Sequence, residues 1–185
     1  SWTALTDRLA TIGVPLKRVH SIIVTHSHPD HYGGAARLQN ESGADIITHR
    51  LFRTFYDPTE PPDVNAEDLA LMMRSPFDPP PWGGPAMDMP WQRKARMRVA
   101  RTFPKLMKVP KPSVRLNESD RMKFARRDWI AVHTPGHTHD HLCLFDQETG
   151  TLLSGDHVLP TITPHISGLT AHGDPLTLFF DSLDK

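Results

Sequence analysis

Cysteine is almost absent from these 185 residues: Cys143 stands alone, which excludes a disulfide framework and a zinc–thiolate cluster together. No apolar run approaches the ~18 residues of a membrane span, so a membrane partner is not expected. Excess charge is missing too. Lys and Arg number 21 against 21 Asp and Glu, which argues against a globally basic nucleic-acid binder. Ser1–Thr11 carries neither the charged start nor the apolar core of a signal peptide, and a soluble, cytoplasmic protein is the expectation. Histidine is missing from the middle of the chain: there are 12, but none between His49 and His133. Proline fills that gap, with 12 of its 18 copies between Pro58 and Pro112. Three parts follow: residues 1–57, a Pro-rich insertion over 58–112, and residues 113–185.

The present residues suggest alternating strands and helices. Leu5, Leu9 and Ile12 have the spacing of an amphipathic helix over Ser1–Gly13. Ser21–Thr25 and Ala44–Thr48 read as short buried strands, with a helix from Ala35 to about Glu41 between them. Such a βαβ unit implies a parallel pair with a helix packed across it. In the insertion, helices are expected at Ala66–Arg74 and Gln92–Lys108, the second bent or split at Pro104. The insertion is electrically polarised. Asp57–Asp68 holds five acids and no base, whereas Arg93–Arg115 holds nine Lys and Arg and no acid. Strand signals return in WIAVH, HLCLFD and TLLSG, with Gln147–Gly150 as the turn between the last two. Pro175–Leu183 reads as the start of a helix that the chain end cuts short.

The chemistry concentrates in His26-Ser27-His28-Pro29-Asp30-His31. In an extended segment His26, His28 and Asp30 project to one side, and a turn at Pro29–Asp30 lets His31 swing back. Three imidazoles and a carboxylate just past a buried strand suit a metal, since neutral imidazole is the commonest metal ligand and carboxylate supports harder divalent ions. Two further groups, Thr134-Pro135-Gly136-His137-Thr138-His139-Asp140-His141 and Ser154-Gly155-Asp156-His157, also follow predicted strands. The fold would bring all three loops to one sheet edge, where open sheets place ligands.

In this order, HxHxDH, a later His in a PGHT context and an Asp after Ser-Gly, the sequence resembles the metallo-β-lactamase-fold hydrolases. The resemblance covers Ile12–His49 and Trp129–Ser167 and is silent on the insertion. It implies an α/β (α+β) protein with the four-layer αββα metallo-β-lactamase fold. It implies further that His26, His28 and His137 hold one metal, that Asp30 and His31 hold a second, and that Asp156 bridges the two. Asp30 would also orient the nucleophile, as the catalytic residue. The stretch GDHVLPTITPHIS is similar to a recurring hydrolase subgroup. The family pattern has extra strands before the first helix and ends with a strand and helix bearing one more metal-ligating histidine. Residues 1–185 are accordingly expected to be the interior of a larger domain, with an incomplete fold, because bare sheet edges invite aggregation.

The function implied is a dinuclear metal-dependent hydrolase of a small ester, thioester or lactone, in which a metal-bridging hydroxide attacks a carbonyl. Zinc is the expected ion, with iron or manganese tolerated by the same donors. His28 favours hydrolysis, since the family's oxygen-reducing di-iron members carry an acid there. The basic stretch suggests an anionic substrate group, a phosphate or coenzyme A tail. The alternatives are a β-lactam hydrolase, a metal-dependent nuclease, or a non-catalytic binding or scaffold protein with a degenerate site. A nucleic-acid partner is not expected, because stacking aromatics are not interleaved with the basic stretch. No sequence feature sets an oligomeric state. Ser154 does not form a nucleophile elbow. The apolar residues Phe77, Trp82, Met87, Met89, Trp91 and Met97 either form a lid or pack the insertion onto the domain. Of the other histidines, His49, His133 and His141 read as supporting or structural, His139 and His157 as exposed, His20 and His172 as surface residues, and His165 as near the substrate. Cys143 reads as core.

Overall fold

Strand β1 (Ser21–Ile23) runs parallel to β2 (Asp45–His49), with Ile22 beside Ile46 and Ile23 beside Ile47. Period-two alternation sorts these residues onto two faces. Ile22 and Ile46 pack with Val24, Tyr32, Ala35 and Phe52, whereas Ile23 and Ile47 face the opposite way. The crossover carries the single turn α2 (Pro29–Tyr32) and α3 (Ala35–Ser42), so the expected βαβ unit is present. It is preceded by α1 (Trp2–Thr11), whose Trp2 ring lies 4.1 Å from the Arg37 guanidinium. The computed structural model describes residues 2–54, 90–103, 109–166 and 174–185, together with Pro79, Pro85 and Asp88.

Strand β3 (Val114–Leu116) then joins β2 in parallel, completing a three-stranded sheet. No sequence signal announces it, because three residues with an arginine at their centre give no hydrophobic alternation. The second sheet is an antiparallel meander of β4 (Arg121–Phe124), β5 (Arg127–His133), β6 (Leu142–Asp146) and β7 (Thr151–Leu153). The β4–β5 hairpin is equally unannounced. Its two turn residues, Ala125 and Arg126, have φ of 50° and 62°, a left-handed pair that Asn or Gly normally marks. The expected Gln147–Gly150 turn is fastened by Asp146, whose carboxylate accepts from Glu148 N–H at 3.0 Å and Thr149 Oγ1 at 2.6 Å.

The sheets face each other across one core, Ile47 and Leu116 meeting Trp129, Ala131, Leu142 and Leu144. On the outer side of the second sheet lies α5 (Pro175–Leu183), capped by Asp174, which accepts from Leu176 N–H. Ser182 Oγ donates to the Pro135 carbonyl at 2.9 Å. Val132, Cys143 and Phe145 of the sheet and Leu183 of the helix line a cavity of about 270 Å³. Helix, sheet, sheet and helix thus stack in four layers.

One contact fixes how closely α5 approaches the sheet. Gly136 has φ +136°, and a Cβ there would fall 2.5 Å from Phe179 Cβ and 2.7 Å from its Cα. Gly136→Ala is expected to push α5 away and to destabilise the chain by about 2–3 kcal/mol, read as a lower thermal midpoint. An unchanged midpoint would show that the helix is not seated on this loop.

Helix α4 (Trp91–Thr102) occupies part of the expected Gln92–Lys108 helix. It ends with Phe103 as its C-cap, one residue before Pro104, where a helical conformation is sterically disfavoured. Trp91, Val99 and Phe103 are exposed. The helix expected at Ala66–Arg74, the acidic stretch Asp57–Asp68, the lid candidates Phe77, Trp82, Met87 and Met89, and His172 lie outside the described residues, as does the Met97 side chain. No helix among the described residues is long and apolar enough to cross a membrane.

Candidate metal centre

Past β1, the Val24 N–H bonds to the Ile47 carbonyl and Leu142 N–H bonds to the Thr25 carbonyl. These bonds carry the chain between the sheets and leave His26 fully buried. The hexapeptide beyond turns at Pro29–Asp30 and swings His31 back, as expected, but Asp30 does not continue the extended alternation of His26 and His28. Pro29, pre-set for a first helical position, starts the single turn α2 immediately after His28. That turn brings the His31 ring to 4.0 Å from the His26 ring, centroid to centroid. It also moves Asp30 out to the rim, where its side chain is 80% exposed and Oδ2 is 3.7 Å from His31 Nε2. Asp30 therefore does not share a face with His26 and His28.

Strand β5 delivers the second loop, and His137 arrives opposite the first. Its Nε2 is 2.9 Å from His28 Nδ1 and 3.3 Å from His26 Nε2, while the latter two atoms are 3.0 Å apart. Two of the outer nitrogens are engaged elsewhere. His137 Nδ1–H donates to the His165 carbonyl at 2.6 Å, and His26 Nδ1 pairs with Thr25 Oγ1 at 3.0 Å. His137 Nε2 is left with its lone pair pointing inward.

The third loop completes the group. Asp156 Oδ2 lies 3.3 Å from His31 Nε2, 3.6 Å from His137 Nε2 and 4.0 Å from His26 Nε2. Two sets of donors emerge, His26–His28–His137 and His26–His31–Asp156, each with its ligand atoms within 4.8 Å of one another. Burial, followed by the neighbouring His31, His141, His28 and His137, pushes the His26 pKa down to about 2. Burial and then His137 lower that of His28, against the opposing pull of Asp140 and Asp30. Protons are therefore poor occupants of His26 and His28. Converging neutral imidazoles spaced near the ~3.3 Å of tetrahedral ligands at 2.0–2.1 Å fit a divalent metal ion.

Behind Asp156 stands His141, which is completely buried. Its Nε2 accepts the Asp156 backbone N–H at 3.1 Å, and its Nδ1–H donates to Thr134 Oγ1 at 2.7 Å. The Thr134 hydroxyl meets Cys143 Sγ at 3.3 Å, and that thiol donates to the Ser154 carbonyl at 3.4 Å. Burial holds the His141 pKa down at about 3 and pushes the Cys143 thiol up. Gly155, at φ +51°, lets the loop lie this close, since a Cβ would sit 2.7 Å from His141 Nε2 and 3.0 Å from Thr25 Cβ.

Other histidines separate from this cluster. His49 is buried and stacks on His133, with centroids 3.9 Å apart and planes 12° from parallel. His133 Nε2 also donates to the His139 carbonyl at 2.7 Å. His157, expected at the surface, is instead buried, because α5 covers it with Phe179 at 5.1 Å. His139 is half-buried, whereas His20 is exposed, as read from the sequence. The His165 side chain is exposed, and its main-chain carbonyl is what reaches the site. No motif marks a main-chain acceptor, and nothing local in the sequence marks Thr134 or Asp140 as supporting residues.

A family model described as the metallo-beta-lactamase superfamily matches residues 1–185. A hydroxyacylglutathione hydrolase of Marinomonas sp. (strain MWYL1) is 27% identical over 141 residues, covering 76% of this chain and 33% of that protein. An atrochrysone carboxyl ACP thioesterase of Aspergillus novofumigatus is 25% identical over 149 residues, covering 80% of this chain and 29% of that protein. Among solved structures, a metallo-beta-lactamase family protein from Thermus thermophilus superposes with a TM-score of 0.64 at 24% identity, covering 98% of this chain and 55% of that one. A beta-lactamase domain protein from Burkholderia ambifaria gives 0.61 at 26% identity, covering 99% and 50%. The chain thus spans about a third of the curated relatives' length and about half that of these solved chains.

Proposed function

Because the chain belongs to the metallo-β-lactamase superfamily, we propose that it serves hydrolysis of a small thioester, or a related ester or lactone, at two divalent metal ions. In this reading His26, His28 and His137 hold one ion, Asp30 and His31 hold the other, and Asp156 lies between them. The observation that carries the reading is the position of Asp156 Oδ2, within 3.3–4.0 Å of imidazoles from both donor sets. The thioester preference is supported by the names of two relatives, a hydroxyacylglutathione hydrolase and an ACP thioesterase. Nitrogen and oxygen donors without thiolate suit zinc in an open site, with iron or manganese as substitutes.

Bound divalent ions supply a nucleophilic water at neutral pH and polarise a carbonyl oxygen. The protein's own part is positional. His137 is held in one tautomer by the His165 carbonyl, and Asp156 is held through its backbone by His141. Asp30, exposed on the rim next to His31, is placed to take the proton that the attacking water loses and to pass it outward.

Metal analysis coupled to turnover tests this. The expected result is two metals per chain, with hydrolysis of acyl thioesters or lactones and none of phosphodiesters. Absence of bound metal, or bound metal with no turnover on any carbonyl ester, would overturn the proposal.

A further inference from the structure

Asp140 lies three residues past His137 and is fully buried. Ser27, the residue between His26 and His28, donates its hydroxyl to Asp140 Oδ1 at 3.0 Å. Oδ2 is equally closed to solvent and has no hydrogen-bond partner among the described residues. A carboxylate so placed, with half its acceptor capacity unused, is costly unless positive charge stands nearby. The two loops that Ser27 and Asp140 tie together are the ones carrying the three imidazoles of the first donor set.

The geometry points to Asp140 as the buried counter-charge for a metal ion held by His26, His28 and His137, a positioning residue fixed by the Ser27 hydroxyl. It touches neither substrate nor ion. Its charge offsets that of the ion through space from outside the ligand set, and its hydrogen bond goes to Ser27 between two of the ligands, not to a liganding imidazole. This inference rests on the metal-site reading above. It adds that metal affinity depends on a residue outside the ligand set.

Zinc affinity, measured by competition against a chromogenic chelator, tests it together with thermal midpoints of the metal-free chain. Asp140→Asn keeps the shape and the acceptor for Ser27 while removing the charge. Zinc binding to the variant is expected to weaken by about 10–100-fold, with a metal-free midpoint no lower than the parent's. A zinc affinity within twofold of the parent overturns the inference, and so does a lowered midpoint with unchanged affinity, which would mark a merely structural role. If Asp140→Asn does not fold, Ser27→Ala decides, since freeing the carboxylate to turn should weaken zinc by about fivefold and an unchanged affinity overturns the inference. Failure of the parent chain to bind zinc at all would instead sink the metal-site reading.

Discussion

Replacing His28 by alanine is expected to abolish tight metal binding at the first donor set, and Asp156→Ala is expected to strip metal from both. His28 Nδ1 is one of three nitrogens within 2.9–3.3 Å of each other, so its removal leaves two imidazoles where four-coordinate zinc needs at least three protein donors. The loss should exceed the ~10–100-fold typical of an outer partner. Asp156 has a different leverage, because its Oδ2 faces His31, His137 and His26 at once. By contrast, Asp30→Ala alters an exposed side chain at the rim and should lower turnover while leaving the first metal in place. Metal content after gel filtration distinguishes these outcomes. Full stoichiometry in either His28→Ala or Asp156→Ala would show that the ligand assignment is wrong.

The second large effect is a loss of stability in mild acid. His49 is buried against the stacked ring of His133, and burial, then His133 and Arg50, hold its pKa down at about 3. The unfolded chain takes up this proton near pH 6.5, and the folded chain refuses it until about pH 3. Stability is therefore flat above pH 6.5 and falls as the pH drops below it, by about 1.4 kcal/mol per unit for a group so shifted. From pH 6.5 to 5 His49 alone should remove about 2 kcal/mol. His26 and His141 act in the same direction in the metal-free chain. Urea unfolding of the metal-free protein at pH 7.5 and pH 5 reads the effect. His49→Phe, which keeps an aromatic ring on His133, should flatten the slope by roughly one proton. Equal midpoints at the two pH values for the parent chain would contradict the burial argument.

The sequence by itself determined which side chains are on offer for the proposed chemistry, and much of the local structure. The β-branched runs Ser21–Thr25 and Ala44–Thr48 bury a strand pair wherever they fold, and Asp174-Pro175 starts a helix through local hydrogen bonding and a preset φ. The residues proposed as donors and their order, from His26 to Asp156, were equally legible, because coordination demands particular atoms that few other contexts would collect. Geometry was not legible. Whether Asp30 lay beside His26 or out at the rim depended on Pro29 nucleating a turn against a packed sheet, a balance that alternation along the chain cannot express. β3 and the Ala125–Arg126 hairpin came from pairing with strands already in place, not from any strong preference of their own. His141 behind Asp156, Ser27 on Asp140 and the His165 carbonyl on His137 join positions 15, 113 and 28 residues apart. Only the tertiary structure decided these contacts, because a hydrogen bond between distant residues leaves no periodicity, composition or spacing in the chain that makes it.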